Sequence, residues 1–298
     1  MAIILGDNQY GKAESRVVRI YRDTARHEIR DLNVCTALRG PFAPAYLVGD
    51  QSSILPTDTQ KNTAFAFAKS KGIESLEGYG LELARHFVND VDPVEGARIE
   101  LEEFAWRRAV VNGVEHDHTW LRTGEEVRTA AITVDATGEQ VVAGFKGLTI
   151  LKSTGSEYAG FYADEYTTLP ETHDRVMATS LIARWRYAST SNIDWDAAYT
   201  AAKDVMSREF ATLHSLALQQ TLWHMGKAVL ESIDSIAEIR LAAPNKHHHM
   251  VDLSPFNLEN PGEVFIAADR PYGLIEAQVL RDDAPPAHDA WRHFAGLA

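Results

Sequence analysis

The sequence predicts an α+β fold: a duplicated unit in which helices cover one face of an antiparallel sheet. Three observations carry that prediction. Stretches that alternate apolar and polar residues recur along the chain, as in SRVVRIYRD at 15–23 and IAEIRLAA at 236–243. Helical spacing is confined to one block opening at Thr57 and another spanning Trp195 to Ile233. The order strand, strand, helices, strand, strand appears twice, a repeat of architecture and not of sequence. The boundary implied is a first unit at 1–137 and a second at 138–298.

In the first unit, strands at 15–23 and 27–37 pair around a Thr24 to Arg26 turn, with Tyr10-Gly11-Lys12 just ahead of them. Thr57-Asp58-Thr59-Gln60 has the form of a capping box, which makes Thr57 the cap of a helix. A second helix opens at Ser75 and carries Leu76, Leu83 and Phe87 on one face. Strands follow at 97–111, 114–121 and 127–135, and Thr137-Gly138-Glu139 turns into the next, at 141–152. Residues 155–175, GSEYAGFYADEYTTLPETHDR, crowd aromatics, acids and threonines without helical or strand period. A loop of that length and chemistry reads as a functional segment or, with equal weight, as an ordered crossover. A strand from Arg175 to Tyr187 comes next. The helical block after it breaks at His214-Ser215, with Ser215 as cap of a helix starting at Leu216. Strands at 236–243, 247–253 and 272–280 complete the second unit.

Composition narrows the function. With 298 residues, 45% of them apolar, the chain can bury a substantial core. No run approaches the ~18 to 20 apolar residues of a membrane span. The apolar piece in MAIILGDNQYGK is too short for a secretory signal, and Gly296-Leu297-Ala298 is not a Ser-Lys-Leu peroxisomal address. Cys35 is the sole cysteine, which excludes an internal disulfide and a thiolate metal cluster. The location expected is cytoplasmic. A net charge of −13, with no clustering of the 29 Lys and Arg residues, argues against nucleic acid or an anionic membrane as partner and leaves room for a small anion.

Two helix starts offer unpaired backbone N–H groups, one at Asp58 and one at Leu218, where Gln219 follows. A planar anion with polar edges needs such donors. Taken singly, each feature has a plainer reading: Thr57 as a cap, Gln219 as a solvated amide, Lys12 as surface charge. The pairs His116/His118 and His247/His249 each share a strand face and could reach one metal, but neither has a third ligand at motif spacing.

Six stretches taken together add a resemblance. YGK at 10–12, LPTDTQKNT at 55–63, the loop at 155–175, SLALQQT at 215–221, PNKHH at 244–248 and ADRPYGLIEA at 268–277 stand in the order and spacing of the urate oxidases. The chain resembles that family, the cofactor-free uricases of the tunnelling fold. The resemblance implies two tandem antiparallel-sheet units that close with neighbouring subunits into a β-barrel, and a homotetramer with its sites at subunit interfaces. It implies oxidation of urate by dioxygen and water to 5-hydroxyisourate and hydrogen peroxide, with no cofactor and no metal. Lys12 matches the lysine of the family's YGK motif, Thr57 and Asp58 the threonine and aspartate of its TD motif. Arg175 matches the arginine that pairs with urate, Leu218 and Gln219 the backbone donor and amide on the opposite edge. Asn245 and His247 match the asparagine and histidine of the PNKH motif. Lys12, Thr57 and His247 would form a proton relay, and Asn245 with Thr57 would hold dioxygen and then water.

Two positions depart from the family pattern. Tyr158 stands where a phenylalanine usually stacks on the purine, and Ala163 where a basic residue commonly precedes Asp164-Glu165-Tyr166. The alternatives are a zinc-dependent pterin enzyme of the same fold, using one of the histidine pairs, and a non-catalytic purine-binding protein that keeps Arg175, Gln219 and the stack.

Overall fold

A computed structural model describes residues 2–292, leaving Gly296-Leu297-Ala298 outside the described residues. Eight strands form one antiparallel sheet in sequence order: β1 (Tyr10–Tyr21), β2 (Glu28–Arg39), β3 (Gly96–Val111), β4 (Val114–Asp135), β5 (Gly138–Lys152), β6 (Met177–Tyr187), β7 (Ile236–Met250) and β8 (Phe265–Leu280). The strands before and after residue 137 are therefore continuous with each other in one sheet. β4 and β5 pair from Val127↔Lys146 to Asp135↔Gly138, across the turn at 136–137. Among the described residues β1 pairs only with β2 and β8 only with β7, so both outer edges are open within the chain.

The described residues also form five α-helices: α1 (Ala43–Val48), α2 (Thr57–Ser70), α3 (Leu76–Asp90), α4 (Trp195–Thr212) and α5 (Leu218–Ser232). α2 and α3 pack on β1, β3 and β4, while α4 and α5 pack on β5, β7 and β8. Strand parity explains the layering, because alternate residues face the helices. Ile99 and Leu101 on β3, Leu181, Ala183 and Trp185 on β6, and Ile239 and Leu241 on β7 all enter one core cluster with Leu83, Phe87, Met206 and Met225 from the helices.

The opposite face is polar where it is covered. The segment after β8 crosses it, and Arg186 (2% exposed) pairs with Glu238 (2% exposed) at 3.2 Å while donating to the Pro285 carbonyl at 2.8 Å. The Trp291 indole donates to Glu238 at 3.1 Å, with the Arg240 guanidinium 3.9 Å from its ring centre.

Several expectations shift. β1 starts at Tyr10, so Tyr10-Gly11-Lys12 belongs to the strand, and β4 runs unbroken through 114–135. Thr57 is not the cap of α2. Pro56 takes that position at φ −52°, ψ 139°, with no side-chain cap bond, and Thr57 is the first helical residue. Ser215 is not a cap either: α5 begins at Leu218 after an extended Ala217, and the Ser215 hydroxyl turns inward to Thr221 Oγ1 at 2.7 Å. Arg175 precedes β6, which starts at Met177.

Candidate active site

The residues singled out from the sequence fall into two groups. The first sits on β1 and α2. A Cβ at Gly11 would lie 1.7 Å from the Thr36 carbonyl oxygen, so only glycine lets β1 approach β2 this closely. That approach lets the Lys12 backbone N–H donate to Thr36 Oγ1 at 3.1 Å. The Thr36 hydroxyl in turn donates to Gln60 Oε1 at 2.6 Å, and the fully buried Gln60 amide donates to the Leu55 carbonyl at 3.4 Å. The Tyr10 hydroxyl reaches the same carbonyl at 3.1 Å. This polar chain ties the Lys12 strand to the start of α2, where Thr57 stands half-buried. Gln60 does here the work of a strut, not of a capping box.

A β-bulge between Lys12 and Ser15, with Glu14 at φ 54°, turns the strand just beyond the lysine. Asp58 is exposed, and Lys61 and Asn62 hold its carboxyl below the ordinary carboxylate range, with Lys12 adding to the effect. Beside Thr57 opens a cavity of about 570 Å³ lined by Tyr10, Tyr46, Ile54 and Pro56.

The second group is assembled by a small ladder in the 155–175 loop. The Arg175 N–H donates to the Ser156 carbonyl at 2.9 Å, and Tyr158 and Thr172 exchange bonds of 2.8 and 2.9 Å. On the other side of the same segment, Glu157 N–H donates to the Ser215 carbonyl at 2.7 Å and Ser215 N–H to the Gly155 carbonyl at 2.9 Å. Tyr158, Arg175 and the segment leading to α5 are thus brought together. Ser156 and Ser215, both fully buried, rest on the Met177 sulfur at 3.6 and 3.7 Å.

The Arg175 guanidinium lies 5.2 Å from the centre of the Tyr158 ring, which stacks on Phe161 at 4.9 Å and 18°. Burial disfavours its charge, and the neighbour that offsets this is the Tyr158 phenol, not a carboxylate. Its Nε is buried without a partner. A guanidinium so placed is ready for an anion. Nearby, the first-turn N–H of the buried Leu218 has no intrahelical acceptor, since the ladder of α5 begins with Thr221 N–H to Ala217, and Gln219 is exposed beside it.

Asn245 and His247 complete this group from β7. Asn245 stands between Thr179 on β6 and Gly273 on β8, and a bulge separates it from His247. Partial burial, then His249, then Arg175 push the His247 imidazole below its ordinary pKa, which favours the neutral base.

The two groups do not meet in one chain. Lys12 is on β1 and His247 on β7, six inter-strand steps apart, or roughly 29 Å along the sheet at about 4.8 Å per step. A purine ring spans a fraction of that distance.

His116 and His118 meet edge to face at 4.4 Å, and His247 and His249 stack at 5.8 Å. Among the described residues no three His, Cys, Asp or Glu side chains converge as a metal-binding group.

Comparison with known proteins decides the family. The Uricase family model matches residues 8–133 and 141–276. The chain is 50% identical to the uricase of Arthrobacter globiformis over 295 residues, covering 99% of this chain and 96% of that protein. The chain belongs to the uricase family. It is also 36% identical to the uricase of Danio rerio, covering 91% of this chain and 93% of that one. The crystal structure of the Arthrobacter globiformis uricase superposes with a TM-score of 0.93 at 49% identity, covering 98% of this chain and all of that one. A uricase from Bacillus fastidious, at 24% identity, shares the fold with a TM-score of 0.80 over 93% of this chain and 94% of its own. The architecture is the tunnelling fold of the uricases.

Within that family frame, three features of the site were missed from the sequence. Thr36 and Gln60 support Lys12 from β2 and α2, and Gln60 was masked by its capping-box spacing. Thr179 stands opposite Asn245, 1% exposed and with its hydroxyl unpartnered. Its signal, a threonine on the core-facing parity of a buried strand, is too common to single out. Glu157 bonds two histidines, His173 and His214, and its place inside an unpatterned acidic loop hid it.

Proposed function

We propose that this chain is a urate oxidase whose site is completed by two subunits. Urate is a flat, weakly acidic heterocycle that is largely anionic at neutral pH, and Arg175 supplies a bidentate, charge-assisted fork for one edge. The Leu218 N–H and the Gln219 amide, which donates and accepts at once, take the opposite edge. Tyr158 stacks on the ring face, a contact of about 1 to 3 kcal/mol if nucleobase stacking is the guide.

Lys12, Thr57 and Asp58 come from the partner subunit in this reading. The support is topological: both sheet edges are open, the two residue groups lie six strands apart, and edge pairing between copies closes such a sheet. A homotetramer with intersubunit barrels, built from units 1–137 and 138–298, is the assembly this favours.

Dioxygen is a triplet and reacts slowly with singlet organic molecules, so the substrate itself must be an electron-rich anion. Lys12, Thr57 and His247 remove and carry its protons, His247 acting as the neutral base its surroundings favour. Deprotonated urate passes two electrons, one at a time, to dioxygen, which leaves as hydrogen peroxide after taking up two protons. Water held by Asn245 and Thr57 then adds to the oxidised ring and gives 5-hydroxyisourate. Urate, dioxygen and water are consumed one for one, and no cofactor enters the balance.

The observation that carries the reading is the 50% identity to a uricase over nearly the full chain, joined to a half-buried Arg175 that has no acid partner among the described residues. The test is to mix metal-stripped protein with urate in air and follow loss of urate absorbance together with peroxide release. Turnover with stoichiometric peroxide is expected; no turnover would sink the assignment, and turnover only after zinc is restored would favour metal chemistry.

A further inference from the structure

The ladder that holds Tyr158 and Arg175 has a second set of cross-links on its outer side. Glu157 lies between Ser156 and Tyr158, so strand alternation points its side chain away from the face that carries the Tyr158 ring. Its carboxylate takes His214 Nε2 at 2.5 Å and His173 Nδ1 at 3.1 Å. These two donors come from the two segments that flank the Glu157 segment. His173 precedes Arg175 by two residues, and His214 precedes Leu218 by four. The two histidine bonds hold the carboxyl below the ordinary glutamate range, His214 contributing first and His173 second.

We propose that Glu157, with His173 and His214, is a positioning residue for substrate: a clasp that fixes the spacing of the stacking ring, the guanidinium and the α5 donors. This rests on the reading that those three groups bind urate. Five backbone bonds hold the three segments together, and each of the binding groups belongs to a different segment. A slip of one segment against another would tilt the Tyr158 ring relative to the Arg175 fork. Recognition from two edges and a face tolerates little of that movement. The carboxylate bonds to side chains of both flanking segments at once, on the outer side of the ladder from the Ser156, Ser215 and Met177 contacts. Its carboxylate is taken up by His173 and His214 on the side away from the Tyr158 ring, so its loss should weaken binding and leave the chemical step alone.

The test uses the full-length protein and urate as the probe, with binding measured in the absence of oxygen and turnover in air. Glu157→Gln is expected to raise both the anaerobic Kd and the KM about three- to ten-fold while kcat stays within about two-fold. Adding His173→Ala and His214→Ala to Glu157→Gln should cause no further loss, because all three act through one set of bonds. Glu157→Asp, which keeps the charge on a shorter arm, should recover part of the affinity. Unchanged Kd and KM, a fall in kcat alone, or independent multiplication of the losses would each overturn the proposal. Matched melting temperatures exclude general unfolding as the cause. Failure of the wild-type protein to consume urate would count against the functional reading, whereas an active wild type with indifferent variants would count against the clasp.

Discussion

If Lys12 and Thr57 act on a substrate held by Arg175 and Gln219 of another subunit, two dead proteins should make a live one. The perturbation is a pair of variants: Lys12→Ala/Thr57→Ala in one chain, Arg175→Ala/Gln219→Ala in the other. Each alone is inactive, because every site in its homo-oligomer lacks the same half. Co-expression at equal levels mixes the chains, and a site is whole when a chain with intact Arg175 and Gln219 meets a partner with intact Lys12 and Thr57. Each condition holds half the time, so about one quarter of the sites are wild type and activity returns to about that fraction per milligram. The magnitude follows from the sheet: roughly 29 Å separates β1 from β7 along its surface at about 4.8 Å per strand, so a single chain cannot assemble the site by side-chain motion. Urate consumption by the purified mixture is the assay. Activity no greater than the sum of the two parents, with mixed oligomers verified by differential tagging, would refute the bipartite site.

Three further outcomes are expected. Arg175→Ala should mainly raise KM, whereas Lys12→Ala or Thr57→Ala should mainly lower kcat; steady-state kinetics showing the reverse would overturn the division between binding and proton transfer. Glu238→Ala leaves the buried Arg186 guanidinium without its carboxylate and should cost about 3 to 5 kcal/mol, read as a lower denaturation midpoint. Glu77 is fully buried on α3 beside Arg128 at 2.7 Å, and burial raises its pKa from 4.5 to about 7. The stability this raised pKa confers is complete below the unfolded value near 4.5 and is lost as pH climbs through about 7, a change of roughly 3 kcal/mol. Glu77→Gln, neutral at every pH, should therefore melt higher than wild type at pH 8 and level with it near pH 5; a lower melting point at pH 8 would show that Arg128 needs the charge.

The fold class was legible because period-2 alternation in β6 and β7 and 3.6-residue spacing in α3 follow directly from which face each element buries. Boundaries were less so where local chemistry offered two solutions. Thr57 and Ser215 both have good cap chemistry, yet Pro56 pre-sets the backbone at one helix start and the Ser215 hydroxyl is drawn to Thr221 at the other. A competing local preference outweighed a capping contribution of about 1 kcal/mol at each. The site residues were named from short motifs, and the structure gives those motifs physical content: the glycine of YGK admits the Thr36 carbonyl, and the LPTDTQ stretch places Leu55 and Gln60 around the same polar chain.

Strand order was the part that the sequence concealed, and it governs the chemistry. Nothing local distinguishes two separate sheets from one sheet running β1 to β8, since the β4–β5 junction at 136–137 is an ordinary hairpin turn. Yet that junction keeps the lysine and the guanidinium on distant parts of the sheet. In the proposed two-subunit site, a continuous open sheet keeps Lys12 and Thr57 away from Arg175, Gln219 and His247 until a second subunit arrives. An isolated chain would then hold Arg175 beside Tyr158 and His247 but have no Lys12 or Thr57 within reach, so dilution below the assembly constant should abolish turnover before it abolishes binding. Urate affinity of a dissociated chain, measured against its turnover, separates this arrangement from one in which assembly serves stability alone.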